Sequence, residues 1–241
     1  MPTAPKRAST LARAVRQALL DAADPTKAAG MQAYMKSAMP YLGVQTPPLR
    51  RALNAVFRAH PLESPEQWRG TVLELWRAAR YREERYAAIA LASYTHYRHF
   101  QTLDTIPMYE EMITSGAWWD YVDAIASHRL GGLLRQFPRE MGALLRQWAH
   151  AENLWKRRSA ILAQLGFKRD TDLELLYDVI RPSMASTEFF LRKGIGWALR
   201  QYAWTDPREV VRFVRENEDL LSPLTKREAL KNIGGYSKSS R

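Results

Sequence analysis

A small residue followed by isoleucine recurs through the chain at Ala88-Ile89, Ala124-Ile125, Ala160-Ile161 and Gly194-Ile195, at intervals of 36, 36 and 34 residues. That interval is the length of a helix-pair repeat. One such pair cannot bury its own apolar face, so neighbouring pairs must stack to form a continuous core. Six residues before each isoleucine stand Glu83, Trp119, Trp155 and Phe189, aromatic in three of the four.

Strand signals are scarce, whereas helix starts are marked repeatedly by a capping residue followed by proline: Thr46-Pro47, Ser64-Pro65, Asp206-Pro207 and Ser222-Pro223. The side-chain oxygen satisfies free amides while proline occupies the first turn. Ser64 with Gln67 and Thr171 with Glu174 add capping-box spacing. The sequence predicts about a dozen helices of roughly 10 to 18 residues and no sheet. The expected fold is all-α, a HEAT-like helical-repeat solenoid, curved, with a concave basic face. It is read as one domain over residues 1–241, with short mobile basic tails at about 1–8 and 235–241.

Charge and cysteine content narrow the function. Lys and Arg number 36 against 25 Asp and Glu, a net charge of +11, without a long basic run. This excess points to a polyanionic partner, nucleic acid ahead of an acidic membrane. With no cysteine there are no disulfides, thiol nucleophiles or thiolate metal sites, as expected for a cytoplasmic protein. No 18-residue apolar run occurs, so no transmembrane span is expected. The opening stretch has no acid before Asp21 and superficially resembles a transit peptide. Leu11, Val15, Ala18 and Leu19 nevertheless fit the buried stripe of a first helix.

The repeat frame locates the most unusual segment, Trp118-Trp119-Asp120-Tyr121-Val122-Asp123. Relative to the repeat isoleucines, Trp119 lies at −6, Asp123 at −2, Arg158 at −3 and Trp197 at +2. At about 100° per residue these positions share an arc of roughly 140° that excludes the isoleucine. Equivalent helices of a solenoid stack side by side, so that arc becomes one surface. Trp119 and Asp123 are also i and i+4 neighbours. An aromatic face beside a carboxylate suits a cationic ligand better than a core. Trp68, Trp76 and Trp148 read as core, and Trp118 as the buried member of its pair. Asp120 reads as a solvated acid at a helix start.

The stretches SGAWWDYVDAIA (115–126), NLWKRRSAIL (153–162) and FFLRKGIGWALRQY (189–202), in that order and spacing, resemble the AlkD-like DNA alkylation repair enzymes. AYMKSAMPYLGVQTPPLRRAL (33–53) and LSPLTKREALKNIG (221–234) resemble the same family, so the likeness runs from about residue 10 to 235. The resemblance implies a DNA glycosylase that excises positively charged N3- and N7-alkylpurines from duplex DNA without a base-flipping pocket. It implies Asp123 as the catalytic acid, Trp119 and Trp197 as lesion-facing rings, and Arg158 and Arg200 as DNA-contacting arginines. Tyr34 and Gln45 match further positions near the DNA. The expected partner is double-stranded DNA bearing alkylated purines, and the expected state is a monomer.

No cofactor and no metal are expected. Only His96 and His99, in HYRH, have a spacing that could seat a metal, and no carboxylate or thiolate accompanies them. Phosphate-loop, dinucleotide and nucleophile-elbow patterns do not occur. The rival reading is a noncatalytic helical-repeat protein that binds DNA or serves as a scaffold.

Overall fold

The computed structural model describes residues 9–233; the expected tails lie outside the described residues. Among the described residues there are fourteen α-helices and no strand. The chain divides into two compact units, residues 1–108 and 109–241.

The first unit contains α1 (Thr10–Asp21), α2 (Pro25–Met35), α3 (Thr46–Ala59), α4 (Pro65–Arg77) and α5 (Arg82–Ala92). Leu11, Val15 and Leu19 of α1 are buried, and α1 packs on α3, α4 and α5. The described part of the stretch with transit-peptide character therefore contributes α1 to this unit's core. Trp68 and Trp76 of α4 are fully buried, as expected. Glu83, at the position equivalent to Trp119, is wholly buried. Its carboxylate accepts the amides of Leu42 (3.0 Å), Gly43 (2.9 Å) and Val44 (3.1 Å), pinning the loop that leads into α3. Ile89 is only partly buried, so the Ala88-Ile89 pair keeps the spacing of the repeat but not its core position.

The unit boundary falls inside α6 (Ile106–Gly116). The second unit continues with α7 (Trp119–Ala124), a π-helical segment Ile125–Leu130 and α8 (Gly131–Gln136), then α9 (Pro138–Ala149), α10 (Leu154–Leu162), α11 (Leu173–Ile180), α12 (Phe189–Tyr202), α13 (Pro207–Glu216) and α14 (Pro223–Leu230). Two rows result. In one, α7, α10, α12 and α14 pack in succession. In the other, α9 packs on α11, and α11 meets α13 through the stacked rings of Tyr177 and Phe213, 4.2 Å apart. Ile125, Ile161 and Ile195 are buried, one per repeat, and Trp148 is core. This is the stacking of a helical-repeat fold.

Ion pairs and hydrogen bonds tie each repeat to the next at the repeat interval. Arg135 reaches Asp170 and Arg158 reaches Asp123, each 35 residues away; Arg146–Asp178 and Tyr177–Glu209 span 32. Gly131 allows close packing here, since a Cβ on it would stand 2.6 Å from the carbonyl oxygen of Ala163.

Most helix starts follow the expected chemistry. Ser64, Asp206 and Ser222 each accept an amide three residues on. Two differ. Thr46 is the first residue of α3, with Gln45 at the cap position making no side-chain cap bond. At α11 the cap is Asp172, which accepts the Leu175 amide, rather than Thr171. Asp outranks Thr as a cap, and its carboxylate also favours the helix dipole. No helix among the described residues is long and apolar enough to cross a membrane.

Candidate active site

The segment that carries Asp123 starts from a sharp reversal. α6 ends at Gly116, and Ala117 takes φ +44°, the left-handed conformation that terminates helices. Trp118 is extended and stands at the cap position before α7, whose first turn holds Asp120, the helix-start acid. Trp118 is half-buried rather than core: its ring packs against Trp155 (6.4 Å between centroids) and Phe190 (5.6 Å). Its indole N–H is buried without a hydrogen-bond partner. Trp119, one step around the helix, turns the other way.

A cavity of about 290 Å³ collects the residues that the repeat frame places on one arc: Trp119 and Asp123 from α7, Arg158 from α10, Trp197 and Arg200 from α12. Phe189, Phe190, Lys193 and Glu228 complete it. Tyr34 and Gln45 lie in the first unit, both exposed, at the end of α2 and just before α3.

Asp123 is almost wholly buried in the last turn of α7, immediately before the π-helical segment. Ser127 donates its hydroxyl to the Asp123 carbonyl at 2.7 Å. Burial pushes the Asp123 carboxyl above the ordinary carboxylate range, and the negative charge of Asp120 adds to the rise; the hydrogen bonds and charge of Arg158 pull it partway back.

Arg158 is placed differently from the expectation of a phosphate contact. It is buried, with Nε on Oδ1 and Nη2 on Oδ2 of Asp123, each at 2.7 Å, and its Nη1 donates to the Phe190 carbonyl. Such a planar fork fixes a carboxylate in both position and orientation. Gly194, which holds the small-residue place of the repeat, leaves room for this: a Cβ there would stand 3.1 Å from Nη1 of Arg158.

Arg200 and Lys193 are the accessible cations. Both are tied to Glu228 of α14, Arg200 at 2.7 Å and Lys193 at 2.8 Å, one on each carboxylate oxygen. These cations hold the Glu228 carboxyl below its ordinary value, Lys193 foremost. Gly196 lets the helices come together, since a Cβ on it would lie 2.5 Å from Cβ of Glu228.

A family model for DNA alkylation repair enzymes matches residues 15–233. The chain belongs to the DNA alkylation repair enzyme family. Similar to it is the solved structure of a predicted DNA alkylation repair enzyme from Enterococcus faecalis, 31% identical, with a TM-score of 0.77, the match covering 88% of this chain and 97% of that one. No curated protein matches. For a member of this family the all-helical architecture and a role in alkylation repair follow together, with DNA as the partner.

Sequence reasoning missed three participants in the family member's cavity. Lys193 sits four residues before Trp197, a one-turn spacing that would have put it on the same face. Phe190 lies beside the aromatic position already noted at 189. Glu228 carried no such signal, because its place depends on how closely α14 approaches α12. Among the described residues no three His, Asp or Glu side chains gather as a metal site requires. His96 and His99 instead pack on aromatic rings, with centroids 5.2 Å from Tyr97 and 4.1 Å from Phe100.

Proposed function

We propose that the protein is a monofunctional DNA glycosylase that hydrolyses the N-glycosidic bond of N3- and N7-alkylated purines in duplex DNA. The observation that carries this reading is one carboxylate among aromatic rings: Asp123 lines the same cavity as Trp119 and Trp197. Alkylation at N3 or N7 leaves the purine cationic, so the base departs without a general acid. Positive charge then develops on the sugar, as in glycoside hydrolysis. An ionised Asp123 stabilises that charge and orients the attacking water. Arg158 keeps the carboxylate aimed, through two hydrogen bonds that leave lone pairs on both oxygens.

Trp119 and Trp197 offer their ring faces to the cationic base or sugar, contacts worth roughly 0.5–2 kcal/mol each. Lys193 and Arg200 hold backbone phosphates and set the register of the duplex. In this reading the protein works as a monomer, in the cytoplasm, and excises the base without extruding it into a deep pocket.

The test is release of free N7-methylguanine and N3-methyladenine from methylated duplex DNA in the presence of a chelator. The intact protein releases both. Asp123→Asn binds the duplex and releases neither; equal release by the variant would remove Asp123 from the chemistry. The pairing of both Asp123 oxygens with Arg158 favours one rival, a noncatalytic helical-repeat DNA-binding protein. That rival expects duplex binding by both proteins and release by neither.

A further inference from the structure

The cavity around Asp123 has a neighbour that is lined by the same two helices, α10 and α12. Trp204 lies in the turn just after α12, and Leu165 in the turn just after α10. Within the helices, Ile161 follows Arg158 by about one turn on α10 and Gln201 follows Trp197 by about one turn on α12, so both helices pass from the first cavity to the second. α10 and α12 pack together, and beyond Arg158 and Trp197 a second cavity of about 410 Å³ opens between them. Ile161 and Leu165 line it from one side; Ala198, Gln201 and Trp204 line it from the other.

Its chemistry differs from that of the first cavity. Trp204 is 71% exposed, and it is the one exposed tryptophan among the described residues. Gln201, also exposed, offers an amide with donors and an acceptor. The charged side chain in the lining is Lys168, and no carboxylate is present there. A flat aromatic face beside an amide and an ammonium matches a ligand with a π-face, a hydrogen-bonding edge and a negatively charged backbone.

We propose that this second cavity is a nucleobase subsite, in which an unpaired, undamaged base of the bound DNA stacks on Trp204 and is hydrogen-bonded by Gln201. The proposal rests on reading the α10–α12 groove as a DNA-binding surface. Base stacking on an aromatic side chain is tolerant of sequence, so the subsite responds to an unstacked base of any identity.

The experiment measures equilibrium binding of the full chain to two undamaged duplexes at fixed salt, one fully paired and one with a single extrahelical nucleotide. The intact protein prefers the bulged duplex by roughly 5- to 100-fold, the range expected for one stacked base. Trp204→Ala loses the preference while keeping its affinity for the paired duplex, and Trp204→Phe retains most of it. Equal binding of the two duplexes by the intact protein, or an undiminished preference in Trp204→Ala, would overturn the proposal. So would a Trp204→Ala variant whose DNA binding is unchanged but whose self-association by sedimentation is altered, since the cavity would then be a protein-docking surface. Base release is not measured, so the subsite and the glycosylase reading fail separately.

Discussion

Both carboxylate oxygens of Asp123 are held by a single guanidinium, that of Arg158, at 2.7 Å each. The pair is buried, and it joins one repeat of the second unit to the next. Removal of the arginine should therefore act first on the fold. Arg158→Ala leaves a buried carboxylate unpaired, a loss of about 3–5 kcal/mol, measurable as a lowered denaturant midpoint. The salt dependence of DNA binding, by contrast, should keep its slope. Arg200→Ala should reduce that slope by about one phosphate contact with a smaller effect on stability.

Glu228 keeps Lys193 and Arg200 occupied. Neutralising it in Glu228→Gln leaves both cations with less internal compensation, so nonspecific duplex binding at low salt should tighten by about 2- to 10-fold, the effect of one recovered charge contact. Filter binding across a salt series measures this. Because the Glu228 carboxyl is held below its ordinary value, its contribution to stability is present above the unfolded-state pKa and is lost as pH falls through the folded one. The variant should therefore lose less stability than the intact protein on acidification through that window.

The pH dependence of base release should carry the signature of Asp123. Activity requires the ionised form, so the rate falls as pH drops through its pKa, which burial holds above the ordinary carboxylate range. Replacing Asp120 by Asn removes a like charge and should move this acid limb to lower pH. Single-turnover rates of methylated-base release between acidic and neutral pH decide it; an unmoved limb would mean that another group controls the step.

Gly196 allows α12 and α14 to approach closely beside the cavity. In Gly196→Ala the new methyl would stand 2.5 Å from Cβ of Glu228 and 3.1 Å from the Thr225 carbonyl oxygen. Overpacking of this kind costs about 1–3 kcal/mol. Displacing α14 also withdraws Glu228 from its two cations. Thermal denaturation and salt-dependent DNA binding should change together in this one variant.

Ala117, at φ +44°, holds a left-handed turn with a side chain that disfavours it. Ala117→Gly should stabilise the protein by about 1 kcal/mol, read as a higher denaturant midpoint, and leave base release unchanged.

The isoleucine interval was enough to identify stacked helix pairs, because Ile125, Ile161 and Ile195 each fill the same buried position. The same frame brought Trp119, Asp123, Arg158 and Trp197 to one cavity. It misled at Ala88-Ile89, where spacing is kept but the isoleucine is only partly buried. What a side chain points toward was legible; what it is paired with was not. Arg158 is recognisable as a cation on the correct face, but its partner is set by the space at Gly194. Glu228 depends in the same way on the absence of a Cβ at Gly196. Such pairings are decided by how near two helices come, a property of both surfaces at once.

The π-helical segment Ile125–Leu130 lies between Asp123 and the regular helix that ends at Gln136. Its bonds close one residue further along than those of an α-helix, so it absorbs a surplus residue in the stretch. Deleting one residue there would return the stretch to α-helical winding and leave the flanking residues facing as they do, whereas winding all of its residues as α-helix would turn everything before it by about 100° relative to α8. Trp119 and Asp123 would then face away from Arg158 and Trp197, although every side chain of the cavity would still be present. The π winding of this segment thus acts as an angular setting, by which the α7 residues are aimed at the other two helices.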